Sequence, residues 1–354
     1  MTERLIAPST LAAYDNYAAA VEQIQREYGA LEPGAPVRLA KKTSNLFRMR
    51  DASSSPGLDV SAFSGVLHID VDARTADVLG MTTYEDLVDA TLRHGLMPLV
   101  VPELKTITLG GAVTGMGIES TSFRNGCPHE SVIDFDVLTG AGEVITVDRD
   151  GEHSQLFTGF PNSYGTLGYA LRLKIELQPV KPFVALEHYV HQSASAAAAT
   201  LDEVASTGRH RDRPVDFLDG VVFSSDRIVV TVGRFVDEAP YLSDYTRQRV
   251  YYRSLEHRSS DFLTTRDYIW RWDTDWFWCS RALGVQHPVV RPFLPRRLLR
   301  SDVYWKVVGF ERRHGWKQAL DQRLGKPERE PVIQDIEVPV DRLAEFLDFF
   351  ESEI

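Results

Sequence analysis

The run Thr108–Ser122, TLGGAVTGMGIESTS, constrains this chain more than any other stretch. Gly110, Gly111, Gly115 and Gly117 fall within eight positions, and Ser120, Thr121 and Ser122 follow. Glycine tolerates positive φ and lets a backbone approach a ligand closely. Successive peptide N–H groups in such turns converge into anion-binding nests, and neighbouring hydroxyls add donors. The run therefore reads as a tight turn or as a cradle for a dinucleotide pyrophosphate. A second loop, Asn162–Gly168 (NSYGTLG), leads into the alternation Leu171, Leu173, Ile175, Leu177 and favours the cradle. This is not a Rossmann fingerprint. Gly115 and Gly117 give G-x-G, but Ser120 holds the third position and the turn-rich FRNGCP follows where a helix is required.

At 354 residues there is room for two domains. A formal net charge of −11 excludes nucleic acid as the main partner, because phosphate binding wants a basic surface. Cys127 and Cys279 supply neither a disulfide framework nor metal spacing, which suits a reducing cytoplasm. MTERLIAPST has neither the basic region nor the apolar core of a signal peptide. No apolar run reaches the length of a membrane span.

Ser9 or Thr10 can cap a first helix with the apolar face Leu11, Tyr14, Ala18, Val21 and Ile24, stopped at Gly29 and followed by a linker to Pro36. From Val37 short strands are expected at Val37–Leu39, Gly65–Asp70 and Thr75–Leu79, a helix at Tyr84–His94, and a buried strand in MPLVVP. Ser131–Leu138 and Glu143–Val147 make a hairpin. Unevenly mixed helices and strands predict an α+β domain over 37–180, after the N-terminal segment 1–36. A second, α/β domain over 181–354 opens with a helical run at Ser193–Thr200 and strands at Asp216–Phe223 and Arg227–Phe235.

All six tryptophans lie between Trp270 and Trp316, and Arg281, Arg291, Arg296, Arg297, Arg300 and Lys306 accompany them. They form either an aromatic core with a solvated basic face or the wall of an apolar cavity beside a lipid-facing surface. Pro288, Pro292 and Pro295 block any periodicity reading there. Val332–Val338 reads as a strand and Val340–Phe350 as an amphipathic helix. A return strand is then expected and the chain stops at Ile354, so the second domain reads as C-terminally truncated.

The segments PELKTITLGGAVTGMGIESTSFRNG, DFDVLTGAGEVI and FPNSYGTLG resemble the PCMH-type FAD-binding domain of the vanillyl alcohol oxidase superfamily. Within it the chain looks most like the Δ24-sterol reductase (diminuto/seladin) group, close to bacterial flavoproteins that reduce 10-methylene fatty acids to 10-methyl ones such as tuberculostearic acid. The resemblance runs from about Val37 to the C-terminus and is thin between Lys181 and Asp261. It implies a two-subdomain FAD domain followed by a substrate (cap) domain. It implies FAD contacts from Lys42, Thr43, Ser44 and Asn45, from Thr108, Leu109, Gly110, Gly111, Gly115, Gly117, Ile118, Glu119, Ser120 and Ser122, and from Gly165, Thr166 and Gly168. The turn holding Lys41–Asn45 is otherwise a basic exposed turn. No histidine lies between Arg38 and Arg50, and Cys127 follows the glycine run, so FAD is expected without a covalent link and Cys127 as a small buried thiol.

The chemistry implied is reduction of an unactivated C=C bond of a lipid, either a fatty acyl chain or a sterol. Protonation of the less substituted carbon leaves positive charge on a tertiary centre, which hydride from the cofactor quenches. Proton donors to consider are Glu119, His129, Tyr164, Tyr268 and His287, with Glu119 and Tyr268 first. NADPH is the implied ultimate reductant, acting transiently or through a partner reductase, since no second dinucleotide motif is present. A partner methyltransferase and peripheral contact with phospholipid at the inner face of the membrane complete the expectation. Two alternatives stay open: an alcohol or sugar oxidase on the same FAD domain, and a non-catalytic flavin- or lipid-binding remnant.

Overall fold

The computed structural model describes residues 8–41, 57–275, 279–315 and 336–353, with 319, 322, 323 and 325 besides. They form two compact units, the first reaching Val180 and the second starting at Lys181.

In the first unit α1 (Pro8–Gly29) begins on proline, whose missing N–H is no loss in a first turn. It lays Ala20 and Ile24, with Tyr14, Tyr17 and Val21, over Phe63, Leu67, Leu79 and Leu171. Two-residue strands β1 (Leu39–Ala40) and β2 (Leu58–Asp59) pair in parallel. Next come β3 (Val66–Asp70), β4 (Thr75–Leu79), α2 (Tyr84–Leu92), β5 (Leu96–Pro98), α3 (Leu109–Gly115) and α4 (Ser122–Asn125). Then follow β6 (Val132–Leu138), β7 (Val144–Asp148), α5 (Ser154–Gly159) and β8 (Tyr169–Pro179). The main sheet runs β3-β4-β8-β6-β7 with antiparallel neighbours, and β5 joins the far end of β8. Leu171, Leu173, Ile175 and Leu177 alternate into the core, so β8 is the spine of the unit.

Between β8 and its neighbours, Arg172 meets Asp77 at 2.6 Å, Asp134 at 2.7 Å and Asp136 at 2.8 Å. The Tyr17 hydroxyl donates to Asp136 at 2.6 Å and ties α1 to the sheet. Burial alone would push Asp136 up, but its bonds to Arg172, Tyr17 and Thr146 outweigh it and hold the carboxyl below its ordinary value.

The second unit is a sheet in the order β12 (Phe217–Ser224), β13 (Arg227–Val236), β9 (Phe183–His191), β14 (Ser260–Thr264), all antiparallel. A small hairpin, β10 (Arg209–His210) with β11 (Arg213–Pro214), stands apart. On one face α6 (Ala194–Thr207), capped by Ser193 and stopped by left-handed Gly208, packs with the helix Leu343–Glu353 over Ile228 and Val230. The other face is aromatic: Phe217, Tyr245, Tyr251, Tyr252, Tyr268 and Trp272 cover Val184, Leu186 and Val229. Ile336–Pro339 carries no strand, in contrast to the strand expected at Val332–Val338, whose first half lies outside the described residues. Pro339 lacks the N–H for a ladder and leads instead into a 3-10 turn at Val340–Arg342. The mixed, antiparallel α+β architecture is the fold class expected from the sequence.

Candidate flavin site

The glycine run is helical for its first half. Thr108 caps α3, its hydroxyl accepting the Gly111 N–H at 3.3 Å. Leu109, Ala112 and Val113 face the core at helical spacing. The Leu109 N–H donates to Thr82 O and the Gly110 N–H to Gly80 O, each at 2.9 Å. Leu109, Gly110 and Gly111 thus spend their N–H groups inside the protein. Gly110 is glycine because a Cβ would stand 2.9 Å from Gly80 O.

The run opens after Gly115. Met116 sits at φ 57°, rare for a residue with a side chain. Among the described residues the N–H groups of Met116, Gly117 and Ile118 have no hydrogen-bond partner. A Cβ on Gly117 would meet nothing within 4 Å, and Ile118 is 66% exposed. Three successive free donors beside open space fit an anion such as a pyrophosphate. Composition pointed to this run, and the positive φ of Met116 is the feature that composition could not reveal.

The second loop joins the first. Tyr164 donates its N–H to Thr114 O at 3.1 Å and its hydroxyl to Gly115 O at 3.2 Å, so Asn162–Gly168 lies against the C-terminal end of α3. Asn162, Tyr164 and Gly165 all have positive φ. Thr166 is exposed, and its hydroxyl donates to Ser163 O at 2.7 Å. Gly168 answers a packing need, since a Cβ there would stand 2.5 Å from Leu138 O.

Beyond the nest a tight turn closes. Ser122 accepts the Glu119 N–H at 2.9 Å, and Thr121 is locked to Leu99 O at 2.8 Å. Glu119 and Ser120 are half-buried beside the free donors. Behind them Tyr84 is fully buried, and burial, with the Glu119 charge second, raises its phenol well above the ordinary value. Lys42, Thr43, Ser44 and Asn45 lie outside the described residues.

The other proton donors are dispersed. His129 borders a cavity of about 220 Å³ with Val113, Phe135, Arg149 and Phe157, and burial lowers its pKa. His287 is exposed. Tyr268 is 1% exposed in the second unit, its ring 4.5 Å from Phe217 and 3.9 Å from the Arg271 guanidinium. Trp270 and Trp272 are likewise core residues; Trp276, Phe277 and Trp278 lie outside the described residues. One feature escaped the sequence altogether. Asp219, Thr231 and His188 stand in register across β12, β13 and β9, with His188 Nδ1 3.0 Å from the Thr231 hydroxyl, a polar row within the aromatic face.

A family profile described as an FAD binding domain matches residues 17–148, which hold the nest. Among curated relatives, the Delta(24)-sterol reductase of Pisum sativum is 29% identical over 51% of this chain and 33% of its own length. A Delta(24)-sterol reductase homolog of Caenorhabditis elegans is 26% identical over 82% of this chain and 57% of its own. Cytokinin dehydrogenase 2 of Oryza sativa subsp. japonica is 26% identical over 47% and 30%. The chain spans about half the length, or less, of the curated relatives it matches. No helix among the described residues is long and apolar enough to cross a membrane. The run that forms the nest lies within the matched FAD-binding domain, and the chain is similar to Delta(24)-sterol reductases over a span that reaches well past that domain.

Proposed function

We propose that this protein reduces an unactivated C=C bond of a lipid with FAD, a 10-methylene fatty acyl chain becoming the 10-methyl one. The observation that carries the reading is the extent of similarity to a sterol reductase homolog, 82% of this chain, far beyond the FAD domain. The preference for an acyl chain over a sterol follows from the resemblance of the sequence to the bacterial branch. The Met116–Ile118 donors hold the pyrophosphate, Lys42–Asn45 add charge and hydroxyls, and Gly165 and Thr166 shape the opposite wall. Bound FAD supplies the hydride. Glu119 delivers the proton to the methylene carbon, leaving the charge at the branched carbon. Tyr268 has a positioning part within the aromatic face.

NADPH, directly or through a partner reductase, is the source of electrons, and a methyltransferase is the reaction class that makes the branched substrate. The protein works in the cytoplasm, at the inner face of the membrane. The test is anaerobic: dithionite-reduced protein is mixed with methylene-branched phospholipid and the acyl chains are weighed by mass spectrometry. A saturated methyl-branched product is expected, with Glu119→Gln retaining flavin and losing product. Similarity to cytokinin dehydrogenases supports an oxidising reading of the same domain. Peroxide formed from an amine or alcohol substrate, with no alkene reduced, would establish that second reading.

A further inference from the structure

We propose that His287–Leu298 in the second unit is a docking tip that inserts apolar side chains into an anionic phospholipid surface. Phe293 is 84% exposed and Val289 67%, and Val290 and Leu298 are exposed with them. Scattered exposed apolar residues are ordinary, but four such residues in ten positions make a patch.

The patch is held out by its frame. Pro288, Pro292 and Pro295 fix φ, and two 3-10 turns, Arg291–Phe293 and Arg296–Leu298, shape the segment. Buried Arg291 donates to Gln248 O at 2.7 Å and Arg247 O at 2.9 Å, and buried Leu299 pins the far end. The local charge has the sign a lipid leaflet attracts. Residues 276–301 hold five arginines and no carboxylate, in a chain of net charge −11. Arg281, Arg296 and Arg297 are exposed and, among the described residues, have no carboxylate partner. Apolar side chains at the acyl boundary with guanidinium groups at the headgroups is how interfacial segments bind. A second copy of this cationic face would repel the first.

The tip rests on the lipid reading above for its purpose, and its test needs no turnover. The full chain is sedimented with phosphatidylcholine vesicles with and without phosphatidylglycerol, at low and high salt. Binding is expected only with phosphatidylglycerol and is weakened by salt. Phe293→Ser and the pair Arg296→Ala/Arg297→Ala should each lower partitioning about tenfold, with circular dichroism unchanged because these side chains are exposed. Wild-type protein that ignores anionic vesicles, or Phe293→Ser that binds like wild type, overturns the proposal. So does a concentration-dependent dimer abolished by Phe293→Ser without vesicle binding. Vesicle binding with no alkene reduced leaves the tip standing and removes the reaction.

Discussion

Gly110 donates its N–H to the carbonyl oxygen of Gly80 at 2.9 Å, and a Cβ at Gly110 would meet that same oxygen. The helix that begins the cradle is therefore pressed onto the turn after β4, and its glycines divide by role. Gly110→Ala should destabilise the fold by about 1–3 kcal/mol, as overpacking against backbone does. Gly117→Val meets open space and should leave thermal stability within about 0.5 kcal/mol while abolishing flavin binding. Thermal melts and flavin titration of both variants check the division. Full flavin content in folded Gly117→Val protein would remove the cradle from Met116–Ile118.

Flavin should come away without covalent chemistry. No histidine lies between Arg38 and Arg50, and the Cys127 N–H donates to the Glu130 carboxylate at 2.6 Å, fixing that residue at the start of a 3-10 turn. Acid precipitation should leave yellow supernatant over a colourless pellet. Colour in the pellet would show a covalent link.

Arg172 gathers three carboxylates onto one guanidinium. Arg172→Met should cost more than about 3 kcal/mol, because Asp77, Asp134 and Asp136 are left confronting one another with little solvent. Adding Asp136→Asn to that variant should recover part of the loss. Urea unfolding of the single and double variants measures both effects, and simple additivity would show that the cluster is not coupled.

The strands at Asp216–Phe223 and Arg227–Phe235 were legible because short runs rich in β-branched and apolar residues stand between turn residues, as suits a sheet covered on both faces, where Ile228 to Gly233 are all buried. α3 was not legible, since glycine is a poor helix former and the run TLGGAVTG looks like a loop. The Thr108 cap and the contact with Gly80 overrule that propensity, and neither is local to the glycines. β9, the strand between β13 and β14, escaped notice because buried His188 breaks its apolar alternation. For the candidate site the sequence located both loops. It could not tell which N–H groups would be consumed by packing, because Thr82 and Gly80 lie in a distant segment.

Asp275 in the second unit couples stability to pH. Its side chain is fully buried, one oxygen takes the Ser280 hydroxyl at 2.9 Å, and Arg291 stands 3.9 Å away. Burial pushes the carboxyl up to about 6, against the opposing pull of Arg291 and Ser280. The unfolded carboxyl titrates near its ordinary value, about 4. Between those values the native state keeps a proton that the unfolded state has lost, so stability falls as pH rises and levels off above about 6. The protonated form is the favoured one, and Asp275→Asn imitates it permanently. Below about pH 4 the variant should match wild type closely; it should be the more stable by roughly 1 kcal/mol at pH 5 and by on the order of 2–3 kcal/mol at pH 7. Tryptophan fluorescence isolates this effect, since all six tryptophans lie between residues 270 and 316. Urea unfolding across that pH range should give two curves that separate as pH rises. Parallel curves would mean that Asp275 is ionised throughout, with Arg291 close enough to offset its burial.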